Sequence, residues 1–247
     1  MTLRPRAASA LALAAICAAL TGCSGCSASA DATATKPHYT ADDVKAAYYT
    51  AKDAGEGARD YWYDRNFHSH TNYVPPSAIQ TCPYVQRSDA ANAPSNVVQP
   101  VGGEPVGQFA VEPARATDSR VPYVTQNALV FGSSAIADGA MDEVDSGLAK
   151  CPGSYAVNGG PPIILGTYSV TSRPLEVFGW KGYVQQLAHT FPPGMDDVYY
   201  EDIAIVVLRR ANLILYLDLT QKKIVGDRAD SADKARDAME KVLRRLG

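Results

Sequence analysis

The feature that most constrains the fold is a pair of apolar runs near the C-terminal end of the chain. The runs cover Tyr200–Leu208 and Leu213–Leu219, and the polar tetrapeptide Arg-Arg-Ala-Asn lies between them. Short runs rich in β-branched and aromatic residues on either side of a polar turn are typical of a β-hairpin. The sequence therefore predicts two antiparallel strands joined by a turn at residues 209–212.

Two amphipathic segments predict helices that accompany this hairpin. In Ser231–Leu246 the apolar residues Ala235, Ala238, Met239, Val242 and Leu246 form one stripe, and acid–base pairs at i,i+4 occupy the other side. In residues 136–148 the apolar residues recur every four positions, and Pro152 and Gly153 mark the end of the helix. Ser133, just before this second helix, suits an N-cap.

The remaining patterns predict further strands and a helical N-terminal region. Strands are expected at 108–111, 125–131, 163–170 and 175–180, and a helix is expected to begin after the N-cap residue Thr40. A second short helix is expected to carry Tyr61 and Trp62. Runs of strands interrupted by a few helices, without strict βαβ alternation, predict an α+β fold with a largely antiparallel sheet.

The first 39 residues predict export and attachment to a membrane. Arg4 and Arg6 precede the apolar stretch Ala7–Leu20, whose 14 residues suit a signal peptide and fall short of the ~20 that span a bilayer. The stretch leads into Leu-Thr-Gly-Cys23, which resembles the lipobox of bacterial lipoproteins. We expect residues 1–22 to be removed, Cys23 to carry a lipid, and residues 23–39 to form a flexible tether.

Other readings of this N-terminus remain open. Ordinary cleavage would release a secreted protein, and Cys26 is a second possible lipid acceptor, although Cys23 would then occupy a position where an apolar residue is expected. Residues 40–247 are of a length that suits a single domain. The expected location is the extracytoplasmic face of the cell membrane.

Charge and composition argue against a nucleic-acid partner. The chain has 23 Lys plus Arg against 26 Asp plus Glu, a formal net charge of −3. Nucleic-acid binders carry clustered basic residues on one face, and here only short Arg pairs occur. The expected partners are an unidentified small ligand or an envelope component, together with the membrane through the N-terminal lipid.

The cysteines predict one disulfide. Of five cysteines, Cys82 and Cys151 alone lie in the region expected to fold, 69 positions apart. Two such cysteines usually pair in an oxidising compartment. Two buried free thiols are the alternative. No C-x-x-C spacing indicates a metal site.

Aromatic residues suggest a ligand surface. The chain has 14 Tyr against 5 Phe and 2 Trp, and many of them lie in two clusters along the sequence. Tyrosine and tryptophan combine an apolar body with a polar tip, so they recur at binding surfaces. The sequence predicts a cleft lined by Trp62, Tyr63, Trp180 and Tyr183; coverage of a sheet edge or core rim is the alternative.

Catalytic signatures are weak. His68 and His70 would project on one face of a strand, as metal ligands do, but two residues do not complete a site. Ser133 lacks the G-x-S-x-G context of a nucleophile. An acidic cluster at Asp196, Asp197, Glu201 and Asp202 suits a solvated loop or a cation site. We expect no enzyme activity and no cofactor. One alternative is an envelope hydrolase or metal-dependent enzyme that uses His68 and His70. Another is a structural spacer in the envelope.

The order of elements resembles a known family. Cys82 is followed by a strand ending Ala-Leu-Val-Phe131, an acidic helix leading into Lys-Cys151-Pro, the hairpin, and a C-terminal amphipathic helix. This order is similar to the extracellular sensor domain of the actinobacterial receptor kinase PknH and of lipoproteins that carry the same domain. The resemblance covers residues 82–246 and leaves the role of residues 40–80 open.

The resemblance implies a fold and a function class. It implies a central antiparallel sheet flanked by helices, a cleft for an unidentified ligand, and a Cys82–Cys151 bridge. Kinase-attached members of the family have two bridges, whereas this chain has cysteines for one. The family supplies no catalytic residue. The sequence therefore predicts a membrane-anchored lipoprotein with a ligand-sensing or binding domain.

Overall fold

The apolar hairpin lies at the centre of an antiparallel sheet of nine strands in the computed structural model of the chain. The structure describes residues 38–62, 75–83, 97–115, 120–157, 166–192, 194 and 199–247. All of them fall within one compact unit, Ala34–Gly247. The predicted α+β class and the largely antiparallel sheet are confirmed.

The described residues form four helices and eleven strands. The helices are α1 (Ala41–Ala47), α2 (Ala51–Ala54), α3 (Ser134–Leu148) and α4 (Ser231–Leu246). The strands are β1 (Ala58–Trp62), β2 (Ile79–Gln80), β3 (Val97–Val98), β4 (Gly103–Pro105), β5 (Phe109–Pro113), β6 (Tyr123–Phe131), β7 (Ser154–Val157), β8 (Gly166–Val177), β9 (Trp180–Thr190), β10 (Tyr199–Arg210) and β11 (Leu213–Ile224).

The main sheet has the order β1-β5-β6-β11-β10-β9-β8-β7, and β4 also pairs with β6. Strands β2 and β3 form a separate two-stranded sheet. The hairpin strands β10 and β11 are central, so each has a hydrogen-bonded neighbour on both sides. Because side chains alternate along a strand, the main sheet presents one face to α4 and the opposite face to α3.

Helix α4 covers the larger apolar face. Its buried stripe, including Ala235, Met239 and Val242, packs against Val206 of β10 and Leu215 of β11. The helix has the bounds predicted from its periodicity. Its amphipathic pattern therefore positions it correctly on the sheet.

The buried carboxylate of Asp202 fixes the start of α4. Asp202 on β10 is 0% exposed, and its Oδ2 accepts hydrogen bonds from the backbone N–H groups of Asp230 (2.8 Å) and Ser231 (2.9 Å). Its Oδ1 accepts from the Ser231 hydroxyl at 2.6 Å, and the Gln221 amide donates to Oδ2 at 3.0 Å. The carboxylate thus satisfies backbone donors that the first turn of a helix leaves open.

Helix α3 covers the opposite face, together with β2 and β3. Ala137, Ala140 and Val144 pack against strand residues such as Phe131 and Ile214. Ser133 is the N-cap and its hydroxyl accepts from the N–H of Ile136, which is the predicted capping role. The predicted disulfide is present: Cys82 and Cys151 are bonded with a Cα–Cα distance of 5.4 Å, which ties the region of β2 to the end of α3.

The N-terminal helix is attached to the α4 side by polar contacts. Thr40 and Asp43 form a capping box at the start of α1, as predicted for Thr40. The Asn212 side chain pairs with both backbone groups of Tyr39, at 2.7 and 3.0 Å. The guanidinium of Arg245 on α4 donates to the backbone carbonyl of Tyr48 at 2.7 Å.

Two predicted local structures were wrong. Tyr61 and Trp62 lie in β1 and not in a helix, because β1 finds a partner in β5, which is distant in sequence. The strand expected at 175–180 is interrupted by Phe178 and Gly179, whose positive φ values form the turn between β8 and β9.

The predicted central hairpin is confirmed, with a turn shorter than the predicted one at 209–212. Its strands extend to Arg210 and from Leu213, so only Ala211 and Asn212 lie between them.

None of the helices described is long and apolar enough to cross a membrane.

Candidate functional site

A group of polar side chains occupies the face of the sheet that α3 covers. Gln185 on β9 and Asp218 on β11 both pair with Ile205 of β10, so they lie on one row across three strands. Tyr183 is two residues before Gln185 on the same face, and Asn127 of β6 pairs with Tyr216 of β11 on the next row. We call Asn127, Tyr183, Gln185 and Asp218 the Gln185 cluster.

The cluster contains buried polar atoms that have no hydrogen-bond partner in the part of the chain that is described. Gln185 is 0% exposed, and both its amide nitrogen and its amide oxygen are unpartnered. The hydroxyl of Tyr183 and the Oδ1 of Asn127 are unpartnered as well, at 4% and 1% exposure. Burying a polar group without a partner costs roughly 1–3 kcal/mol, and most buried polar groups in proteins are satisfied.

Asn127 is half satisfied, which fixes its orientation. Its amide nitrogen donates to the backbone carbonyls of Ala78 at 3.1 Å and Pro76 at 3.4 Å. These contacts bring the segment before β2 over this part of the sheet. The remaining oxygen of Asn127 has no partner among the described residues.

Burial raises the pKa of Asp218 to about 7. Hydrogen bonds from the hydroxyls of Thr220 (3.3 Å) and Tyr216 (3.4 Å) oppose this rise in pKa, and the nearby charge of Glu201 adds to it. A carboxyl group with this pKa changes between donor and pure acceptor near neutral pH. Near neutral pH Asp218 is therefore present in both protonated and ionised forms, whereas a surface aspartate is ionised.

The Tyr183 phenol stays neutral across the physiological range. Burial is the main cause of its raised pKa, and the negative charge of Asp145 on α3 adds to the effect. A neutral phenol both donates and accepts one hydrogen bond. The Tyr183 hydroxyl can therefore act in the Gln185 cluster as a hydrogen-bond donor or as an acceptor.

A second group of interest surrounds His189 near the end of β9. The imidazole stacks on Tyr168 with ring centroids 4.0 Å apart, and Phe191 lies at 3.9 Å. Neither ring nitrogen has a hydrogen-bond partner among the described residues, and burial lowers the pKa of His189 to about 4. This imidazole is neutral at physiological pH and serves as an aromatic packing element without a carboxylate to orient it.

The structure does not bring the predicted cleft residues together. Trp180 and Tyr183 lie three positions apart on β9, so their side chains point to opposite faces of the sheet. Trp180 is 0% exposed and packs against Tyr39 at 5.4 Å on the α4 side. Trp62 lies on β1, five strands from β9 in sheet order, or about 24 Å at ordinary strand spacing.

Several predicted residues lie outside the described part of the chain, and their predicted roles stay predictions. They are Cys23, Cys26, Tyr63, His68, His70, Asp196 and Asp197. Asp202, a member of the predicted acidic cluster, is described, and its carboxylate accepts hydrogen bonds from backbone N–H groups at the start of α4. The described residues contain no group of three metal-ligating side chains.

Sequence reasoning missed the Gln185 cluster, although one signal was visible. Asp218 interrupts the apolar run of β11 between Leu217 and Leu219, and a charged residue inside a buried strand is rare unless it has a partner or a role. No comparable sequence signal marked Gln185, because the strand β9 was not predicted. Which of its two faces is buried depends on contacts that are distant in sequence.

No family model and no curated protein sequence matches this chain. Among solved structures, the fold is similar to the crystal structure of the extracellular domain of PknH from Mycobacterium tuberculosis. That likeness has a TM-score of 0.47 and 8% sequence identity, and it covers 85% of this chain and 97% of that chain. At these values the likeness assigns no function to this chain and no role to any residue.

Proposed function

We propose that this chain is a lipid-anchored protein of the outer face of a membrane, and that its folded domain binds a ligand at the Gln185 cluster without chemically changing it. One observation carries the binding proposal: Gln185 is fully buried, and neither of its amide atoms has a hydrogen-bond partner among the described residues. A ligand that meets those atoms recovers the free energy that the free protein loses by burying them.

The neighbours of Gln185 support binding over catalysis. Tyr183 on the same strand and Asn127 three strands away on the same face add polar atoms without partners among the described residues. A few polar groups set among apolar side chains are typical of ligand sites. The described residues of the cluster include no histidine, cysteine or lysine next to Asp218, so no nucleophile–base pair is formed there.

The anchor rests on the N-terminal sequence. Arg4 and Arg6, the apolar stretch Ala7–Leu20 and the following Leu-Thr-Gly-Cys23 form the pattern of a lipoprotein signal. Residues 24–31 are small or polar and suit a flexible tether. The domain would then be displayed within reach of envelope components.

Intact-mass measurement of membrane-extracted protein tests the anchor. The expected result is a chain that starts at Cys23 and carries acyl mass. Cys82 and Cys151 should become alkylatable only after reduction, as their bond requires. A chain that starts elsewhere, or that lacks acyl mass, would refute the anchor.

Thermal unfolding of the purified full chain with a fractionated small-molecule extract of the cell envelope tests binding. We expect one fraction to raise the midpoint of wild type and to leave that of Gln185→Leu unchanged. Thr171→Ala is the control, because Thr171 is an exposed neighbour on β8 that pairs with Gln186 and faces away from the cluster. If every fraction leaves wild type unchanged, or shifts both proteins equally, the binding proposal fails.

A further inference from the structure

Residues 39–54, which contain α1 and α2, are held on the α4 side of the domain by side chains of other elements. They belong to none of the described strands. Asn212 in the turn of the central hairpin pairs with both backbone groups of Tyr39, at 2.7 and 3.0 Å. Gln126 on β6 accepts a hydrogen bond from the N–H of Tyr49 at 2.9 Å and donates to its carbonyl. We call residues 39–54 the strap.

Helix α4 supplies a third attachment. Arg245 donates to the backbone carbonyls of Ala47 at 3.3 Å and Tyr48 at 2.7 Å. It also forms an ion pair with Asp53. Lys241, one helical turn earlier, donates to the backbone carbonyl of Asp53 at 2.9 Å. The strap is therefore attached through side chains that belong to the sheet, its central turn and α4, and not to the strap itself.

The strap covers aromatic side chains at one end of the core beneath α4. The ring of Tyr39 lies 5.4 Å from that of Trp180, and the ring of Tyr48 stacks on Phe109 at 5.9 Å. Trp180 is 0% exposed, and its indole nitrogen is buried without a hydrogen-bond partner among the described residues. Departure of the strap would therefore give water access to Trp180 and Phe109.

The strap cannot keep its helices once it leaves this surface. Helix α1 has seven residues and α2 has four, and isolated helices shorter than about 12 residues are marginal in water. Detachment and unfolding of the strap are therefore one event. The sheet keeps its strand pairings and α4 keeps its apolar stripe when the strap leaves. A local opening of this kind costs less free energy than global unfolding.

From these observations we infer that the strap is a lid: residues 39–54 open as one unit while the sheet and α4 stay folded, and the opening uncovers Trp180 and Phe109. A pull along the chain from its N-terminal side reaches the contact between Tyr39 and Asn212 before any strand of the sheet. Under the proposed anchor this pull comes from the membrane. The opening itself does not depend on the anchor.

Hydrogen exchange on the purified full chain in detergent tests the opening. The backbone amides of α1, those of α4 and the indole N–H of Trp180 would be followed by NMR, each corrected for its intrinsic rate. The chain has two tryptophans, so the loss of one indole signal in Trp62→Phe assigns both. We expect the α1 amides to exchange at least tenfold faster than those of the buried stripe of α4, and the Trp180 indole to exchange at the rate of α1.

Two glutamine-to-alanine substitutions on the α4 side separate local opening from global unfolding. Gln126→Ala removes the contact with Tyr49 and should speed exchange in the strap several-fold or more. Gln186→Ala is the matched control, because it removes hydrogen bonds to Asp202 and Ser231 that stay intact when only the strap opens. It should speed exchange in α4 and leave the strap unchanged.

Three results would overturn the inference. Equal rates for α1 and α4 in wild type would mean that the strap opens only when the whole domain unfolds. An equal effect of Gln186→Ala on the strap and on α4 would lead to the same conclusion. A fast strap beside a slow Trp180 indole would show that the strap is not the lid over Trp180. None of these results bears on the anchor, which the intact-mass measurement tests separately.

Discussion

Gln185 and Asp218 lie on one row of the sheet, each opposite Ile205 of the central strand β10. The row places a fully buried amide and a half-buried carboxyl group on the face that α3 covers. Both groups carry a free-energy cost in the free protein: the Gln185 amide has no partner among the described residues, and burial disfavours the charge of Asp218. The next predictions test these two costs separately.

Replacing Gln185 with leucine should make the protein more stable. The substitution keeps a side chain of similar volume and removes two unpartnered polar atoms, so we expect the free energy of unfolding to rise by about 1–2 kcal/mol. Urea denaturation of the purified protein without added ligand measures this change.

Gln186→Leu is the matched control for that substitution. Gln186 follows Gln185 but points to the α4 face, where its amide donates to Asp202 at 3.3 Å and Ser231 at 3.4 Å. Its replacement should lower stability. A loss of stability in Gln185→Leu as large as in the control would show that the Gln185 amide is satisfied in solution, contrary to the structure.

Asp218 should make stability fall as the pH rises. Its carboxyl pKa is about 7 in the folded protein against an ordinary value of 3.8, so the folded state holds the proton more tightly than the unfolded state. The contribution is therefore complete below pH 4 and is lost between about pH 4 and pH 7. The raised pKa corresponds to a change of about 4 kcal/mol at most.

Asp218→Asn should remove this pH dependence, because asparagine does not ionise. Comparing the urea midpoints of wild type and variant from pH 4 to pH 8 isolates the effect of Asp218. Glu201→Gln should shift the wild-type profile to lower pH, since the charge of Glu201 contributes to the raised pKa of Asp218. Parallel profiles for wild type and Asp218→Asn would contradict the assignment.

Two glycines of α3 should respond to alanine in opposite directions. At Gly139 an added Cβ meets nothing within 4 Å, so Gly139→Ala should stabilise the helix by roughly 0.5–1 kcal/mol. At Gly147 the Cβ would lie 2.5 Å from Val98 and 3.0 Å from the Thr81 hydroxyl, so we expect a net loss of roughly 1–3 kcal/mol. Equal stabilisation in both variants would mean that β2 and β3 do not pack on α3 as described.

Regular, locally determined elements could be predicted from the sequence. Helix α4 has the predicted bounds because its apolar stripe repeats over four turns without interruption. The central hairpin was found because its runs contain mostly apolar residues. The disulfide followed from the count of cysteines in the region expected to fold. In each case the property that allowed the prediction can be read from a single segment or from the number of residues of one type.

Features that depend on distant partners could not be predicted. Strand β9 contains Gln185 and Gln186 side by side, and only its pairing with β8 and β10 makes it a strand. The turn before β9 uses Phe178 with φ of 50°, a conformation that sequence statistics assign to glycine or asparagine. The candidate site was missed for the same reason, because an unpartnered amide is recognisable only after its neighbours are known.

The buried carboxylate of Asp202 should be the polar group on which the docking of α4 depends most. Asp202→Ala would leave the backbone N–H groups of Asp230 and Ser231 and the Gln221 amide without their acceptor, so we expect a loss of at least about 3 kcal/mol. Asp227→Ala is the control: Asp227 is exposed and accepts one backbone hydrogen bond, from Ile224 at 3.2 Å, and its loss should cost under about 1 kcal/mol. Urea denaturation gives the total change, and hydrogen exchange along α4 shows where protection is lost. If Asp202→Ala costs no more than Asp227→Ala, the docking of α4 does not depend on the Asp202 carboxylate.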